Sequence, residues 1–182
     1  MATKKCRSWW WVQLIENLPE TWESDLSALC VSSAYITHDK DTSADTGDLV
    51  KPHVHCLMQF PNAVRPNTVL SALPESFGVL HTESVASVSG AYRYMLHIGQ
   101  EGKHEYNLDE MHHLHGFRVN LSDAFGVGFK DLYKLITDQS ITCFSQLVAY
   151  CVEVEPRYLD YVLGHNVLLR GYFNDLNANY AL

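Results

Sequence analysis

Positive charge is what this 182-residue chain has least of: 13 Lys and Arg stand against 21 Asp and Glu, for a formal net charge of −8. Non-specific nucleic-acid binding draws most of its affinity from Lys and Arg on phosphates, so the composition excludes a broad electrostatic clamp. The deficit runs throughout, with 9 basic and 14 acidic residues in 1–118 and 4 and 7 in 119–182. Apolar runs long enough to span a bilayer, about 18 residues, are also missing. The opening MATKKCRSWWW lacks the apolar stretch and cleavage site of a signal peptide, so a cytoplasmic protein that does not engage membranes is expected. Five cysteines with no C-x-x-C pair argue against a disulfide framework and a zinc knuckle. No G-x-x-x-x-G-K-[ST] sequence is present, so the chain carries no P-loop for nucleotide-driven unwinding.

Histidine, in contrast, is plentiful and patterned. In KPHVHCLMQF, strand alternation puts His53 and His55 on one face and Val54 and Cys56 on the other. Upstream, SSAYITHDKD reads as a second strand that closes on His38 and Asp41. The stretch between, TSADTGDLVK, has the Gly, Asp and Ser content of a connection. If the two strands pair, three imidazoles and one carboxylate converge. That mixed nitrogen and oxygen set suits one divalent ion, Mn²⁺ first, with Mg²⁺ or Zn²⁺ as alternatives. Such an ion acts as a Lewis acid on a substrate oxygen, a chemistry that phosphodiesters exploit.

A nucleophile is offered farther on, in SVSGAYRYMLHIGQEGKHEY. Ala91 to Ile98 are good helix formers without Pro, with Gly99 as the expected C-cap. Tyr94 and His97 would then share a face, with Tyr92 turned away by about 200° from Tyr94. Only one tyrosine can face the metal. A phenol of ordinary pKa, near 10, needs activation at neutral pH. Its ester keeps the energy of the broken bond, which suits strand transfer rather than hydrolysis.

The order HDKD, PHVHCLMQ, YRYMLH resembles the HUH endonucleases, and most closely the rolling-circle replication initiators of small plasmids from Gram-positive bacteria. The resemblance covers residues 5 to 118 by motif. It implies a metal held by His38, Asp41, His53 and His55, and a nucleophile at Tyr94. It implies nicking of a single-stranded or hairpin origin, a 5′-phosphotyrosine link, and a free 3′-hydroxyl from which host helicase and polymerase start replication. His97 stands where many viral members carry lysine and is the candidate assistant to the phosphate or the tyrosine. Tyr106, in a similar run after the tyrosine helix, is a second candidate nucleophile. Lys51, Arg93 and Lys103 lie in the motif regions and are the candidate DNA contacts. Aromatic stacking can supply what charge does not. In RSWWWVQLIE, Trp9 and Trp11 share one face and Trp10 takes the other; one set must be core.

The first part reads as strand 7–15, helix 21–30, strands 32–38 and 52–60, helix 66–73, strand 79–84, the tyrosine helix near 89–98, and a short strand near 103–107. This is an α+β sandwich on an antiparallel sheet with flanking helices, which the resemblance names the HUH fold. His112, His113 and His115 look like a second metal cluster but complete no ligand spacing. After Gly116, apolar residues recur at helical spacing, as in Phe129, Leu132, Tyr133 and Ile136, then Phe144, Leu147, Val148 and Cys151. The chain thus divides into a nicking domain, 1–117, and an all-helical domain, 118–182. So small a bundle is marginal alone, and the resemblance to ring-forming initiators implies that it makes a homo-oligomer. Two other functional classes compete: an HUH relaxase or transposase, and a noncatalytic, metal-stabilised DNA-binding regulator in which Tyr94 is a buried packing residue.

Overall fold

The structure, a computed structural model, describes residues 5–43 and 46–179. Ala44 and Asp45 of the expected connection, and Met1 to Lys4 of the opening segment, lie outside the described residues. The chain forms two compact units, residues 1–118 and 119–182.

The first unit is built on an antiparallel sheet of five strands: β1 (Cys6–Leu14), β2 (Ser32–His38), β3 (His53–Val64), β4 (Glu83–Ser84) and β5 (His112–Leu114). Their order across the sheet is β4-β1-β3-β2-β5. Register fixes which side chains share a face: Val12 and Trp10 lie opposite His55 and Leu57, while His38 and Ile36 lie opposite His53 and His55. One face therefore carries Trp10, Val12, His38, His53 and His55. The other carries Trp9, Trp11, Tyr35, Val54, Cys56 and Met58, which pack as a core with Trp22, Leu26, Val69, Leu73 and Phe77. Of the three adjacent tryptophans, Trp9 and Trp11 are the core pair.

The core side is covered by two short helices, α1 (Trp22–Ala28) and α2 (Pro66–Ala72). Pro66 starts α2 at a position where its missing N–H costs no helical bond. The first helix was expected to reach residue 30. It stops early because Cys30 adopts a left-handed backbone, φ 53°. The histidine side is covered by α3 (Val88–Met95).

Three sequence expectations are corrected. Residues 103–107 form no strand; the last strand is His112–Leu114, an edge segment too short to show alternation. The strand expected at 79–84 is reduced to Glu83–Ser84. The tyrosine helix closes at Leu96 rather than Gly99, with His97 in the left-handed conformation (φ 57°) and Ile98 N–H bonded to the Arg93 carbonyl.

The second unit is helical: α4 (Leu121–Phe125), α5 (Phe129–Asp138), α6 (Phe144–Glu153), α7 (Leu159–Gly164) and α8 (Asn166–Asn179). Leu132, Ile136, Leu147, Cys151, Val162, Leu169 and Phe173 form its core. Of the apolar residues read at helical spacing, Leu132, Ile136, Leu147 and Cys151 are buried, whereas Phe129 and Tyr133 stay exposed. Among the described residues, no helix is long and apolar enough to cross a membrane.

Candidate metal centre

Four imidazoles meet where β2, β3 and the end of α3 converge. The His38 ring lies 5.2 Å from that of His53, 4.5 Å from His55 and 4.4 Å from His97, centroid to centroid. His38, His53 and His55 each bring a ring nitrogen within 4.8 Å of the others, and His38, Asp41 and His97 form a second such triad. The Asp41 carboxylate stands 3.5 Å from His38 Nδ1 and 3.4 Å from His97 Nδ1. The structure thus gathers all four residues expected to hold a metal, with Asp41 entering through His38.

Hydrogen bonds to the backbone orient the rings. His38 donates from Nε2 to the Met95 carbonyl at 2.7 Å, which leaves Nδ1 with its lone pair. His53 donates from Nδ1 to the Lys51 carbonyl at 2.9 Å, leaving the lone pair on Nε2 able to bind an ion. His97 donates from Nδ1 to the His104 carbonyl at 2.9 Å. Such outer partners fix tautomer and ring angle at metal sites. The nitrogens His38 Nδ1 and His55 Nδ1 are buried without a hydrogen-bond partner. An orphaned buried nitrogen is costly unless something else uses its lone pair. Burial first, and then neighbouring cationic histidines, lower the pKa of His55 to about 2; burial lowers that of His38 to about 4. Both are neutral imidazoles over the physiological range, the form that binds metals. The donor set therefore fits a divalent ion of borderline to hard character.

Tyr94 stands beside this cluster and keeps 41% of its surface exposed. Its ring centroid is 6.2 Å from His55, 6.2 Å from His97 and 5.2 Å from Trp10, and Lys103 Nζ lies 5.4 Å from it. Tyr92 faces the other way. It is buried, and its hydroxyl donates to His113 Nε2 at 2.9 Å. Tyr106 is buried too, stacked on His38 with centroids 4.5 Å apart. Its hydroxyl donates to Asp41 Oδ1 at 3.2 Å and accepts from Lys40 N at 3.0 Å. Burial, with Asp41 close by, pushes its pKa up to about 12. Only Tyr94 of the three combines exposure with a place beside the histidine cluster.

His97 does not share a helical face with Tyr94 as spacing suggested. The two rings meet at a right angle, and His97 is buried against Asp41 and Tyr106. Of the candidate DNA contacts, Lys103 stands over Tyr94. Lys51 is exposed and paired with Glu16 at 2.6 Å, while its backbone carbonyl orients His53. Arg93 lies in α3 immediately before Tyr94. In the run after residue 111, His112 stacks on Tyr35, His113 accepts from Tyr92 and His115 bonds the Ser27 carbonyl. These are contacts that fasten the edge strand and its following turn. Sequence reasoning missed the bond from Tyr106 to Asp41 and the proximity of His97 to the same carboxylate; the KHEY run was the available signal for the first.

The family of the plasmid replication protein, origin binding domain, matches residues 1–120. The replication protein RepB of Lactiplantibacillus plantarum is 24% identical over 157 residues, which span 84% of this chain and 71% of that protein. A replication protein of Staphylococcus aureus is 25% identical over 154 residues, 81% of this chain and 76% of its own length. With the match taking in more than half of the chain and every residue of the histidine cluster and its tyrosine, the protein belongs to the plasmid replication proteins that carry this origin-binding domain, and its partner is DNA.

Proposed function

We propose that this protein is a site-specific single-strand DNA endonuclease and strand transferase of the HUH type, which nicks a plasmid origin to begin rolling-circle replication. The observation that carries the proposal is the exposed Tyr94 beside a histidine cluster with two buried ring nitrogens lacking hydrogen-bond partners. His38, His53, His55 and Asp41 would hold the ion, Mn²⁺ by preference or Mg²⁺. When bound, it supplies Lewis-acid polarisation of a scissile phosphate oxygen.

The chain's own groups do the rest. The Tyr94 hydroxyl attacks phosphorus, a tyrosyl O–P bond forms, and the bond from phosphorus to the 3′-oxygen breaks. The phenol gives up its proton, and the departing oxygen takes one up to become the 3′-hydroxyl. A later 3′-hydroxyl reverses the step and rejoins the strand. Lys103 and Arg93 would meet the phosphate backbone, and Lys51 would extend that path. His97 and Tyr106 hold the Asp41 carboxylate in position. The same chemistry would serve a relaxase or transposase, but the origin-binding family favours replication. A buried phenol at Tyr94, away from the histidine face, would favour the noncatalytic reading, whereas that side chain is open to solvent.

Unwinding and synthesis fall to the host helicase and polymerase. The helical unit is the proposed self-association surface: Val167 is 80% exposed, and Val152 and Leu168 are also open to solvent. Light scattering on the full chain should give a mass of several subunits. For the chemistry, the protein with Mn²⁺ and single-stranded origin oligonucleotides should give a covalent adduct on a denaturing gel. The adduct should require His55 and vanish with Tyr94→Phe, while Tyr106→Phe retains it at saturating Mn²⁺. Loss with Tyr106→Phe and persistence with Tyr94→Phe would reassign the nucleophile. No adduct at all from folded, metal-loaded protein would return the weight to the noncatalytic reading.

A further inference from the structure

On the side of Tyr94 away from His38, the sheet forms an open groove of about 360 Å³, lined by Trp10, Val12, His55, His81, Glu83 and Tyr94. Its size falls at the low end of small-ligand sites, roughly 300–1,000 Å³. The register builds it: Trp10 pairs with Glu83 across β1 and β4, so the two residues sit side by side at this edge. The Trp10 indole N–H donates to Glu83 Oε2 at 3.2 Å, which fixes both side chains. Unlike Trp9 and Trp11, Trp10 is not consumed by the core. It is half-buried, with its ring 5.2 Å from Tyr94 and 6.0 Å from His55.

We propose that this groove is a subsite for one unpaired nucleobase bearing an amino group, next to the phosphate that Tyr94 attacks. The proposal rests on the nicking function above and deepens it. Two features select a base over backbone. Glu83 is an anion and repels a phosphate, whereas an aromatic plane offers stacking to any unstacked base. A third feature selects among bases. A carboxylate only accepts hydrogen bonds and has several lone pairs, of which Trp10 uses one on Oε2, while the exposed His81 Nε2 stands 3.6 Å from Oε1. Exocyclic amines, as on cytosine, adenine and guanine, satisfy the remainder, and a carboxylate reading a cytosine amine is an established pairing. Thymine alone lacks an exocyclic amine, and its one ring N–H, at N3, is flanked by two carbonyl oxygens that an approaching carboxylate must face. An acidic protein thereby gains sequence discrimination where it lacks phosphate-binding charge.

The experiment uses the full chain with Mn²⁺ and a pool of single-stranded oligonucleotides randomised over a central stretch. Covalent adducts and released 3′-hydroxyl fragments are sequenced to read both sides of the cut. Wild type should deplete thymine at one position adjoining the cut. Glu83→Gln, whose amide donates as well as accepts, should restore thymine at that position alone. Trp10→Ala should lower adduct yield about ten-fold or more, and Trp10→Phe should keep most of it. Both Trp10→Ala and Glu83→Gln should hold wild-type Mn²⁺ affinity by calorimetry, which separates loss of the subsite from loss of the fold. Wild-type yield from Trp10→Ala with an unchanged base profile in Glu83→Gln would overturn the subsite and leave nicking standing. No adduct from wild type, despite bound Mn²⁺, would overturn nicking and the subsite together.

Discussion

At the scale of single residues, Tyr106 shows how much of the site lies behind the histidine cluster. Its ring covers His38, and its hydroxyl joins the Asp41 carboxylate to the Lys40 backbone. Removing only that oxygen leaves packing almost intact and frees the carboxylate to turn. Tyr106→Phe should therefore lower Mn²⁺ affinity about 10- to 100-fold, the range for outer partners of metal ligands, with little change in melting temperature. Calorimetric titration checks it, and an unchanged affinity would make Tyr106 a packing residue only. The convergence of His38, His53 and His55 was legible in the sequence because strand alternation has period two and the connection between them was rich in turn residues. The arrangement of His97 was not. Its left-handed backbone ends the helical phase that relates it to Tyr94, and periodicity carries no mark of that change.

At the scale of elements, α3 depends on its first turn. The Ser87 hydroxyl accepts from Gly90 N at 3.0 Å, and a Cβ on Gly90 would stand 3.2 Å from that oxygen, so glycine admits the cap. Ser87→Ala should cost about 1 kcal/mol, within the usual span for N-caps. Urea unfolding measures that loss, and hydrogen exchange should show it first in the turn ahead of Tyr94. The edge strand β5 is tied down differently, through the bond that Tyr92 gives to His113 Nε2. Burial, aided by His112, holds the His113 pKa below its ordinary 6.5. The unfolded chain then binds the proton more readily, so this contribution is complete above pH 6.5 and is lost as pH falls through the lower folded value. Replacing His113 by glutamine should remove part of the fall in melting temperature between pH 7 and pH 5; an identical fall in both proteins would sink the assignment. This strand escaped the sequence reading because three residues, two of them histidine, give no alternation to detect.

At the scale of the whole molecule, the sheet places chemistry and core on opposite faces of the same strands. Trp9, Trp11, Val54 and Cys56 bury one side while their immediate neighbours build the other. A ligand that binds only the folded cluster must then stabilise the entire unit. Mn²⁺ at about 100 times its dissociation constant should add roughly 2.7 kcal/mol to unfolding, and His55→Ala should abolish the increment. A melting temperature indifferent to Mn²⁺ in the wild type would speak against a built site. Fold class and the longer helices were legible because apolar spacing records burial; α4, five residues long, is too short for that spacing to repeat and was not. Strand ends were less so, since β4 and the far end of β3 are set by pairing partners rather than by local pattern.

His38 and His53 face each other directly in the β2–β3 register, at the two ends of the connection 39–52. An ion held by both would clasp that loop shut in the folded chain, stabilising it by mass action where a covalent cross-link works by restricting the unfolded chain. Unlike a disulfide, the clasp would open at the pace of ion release and answer to metal supply instead of redox state. In such a protein the availability of a trace metal would govern how completely the chain is folded as well as whether it reacts.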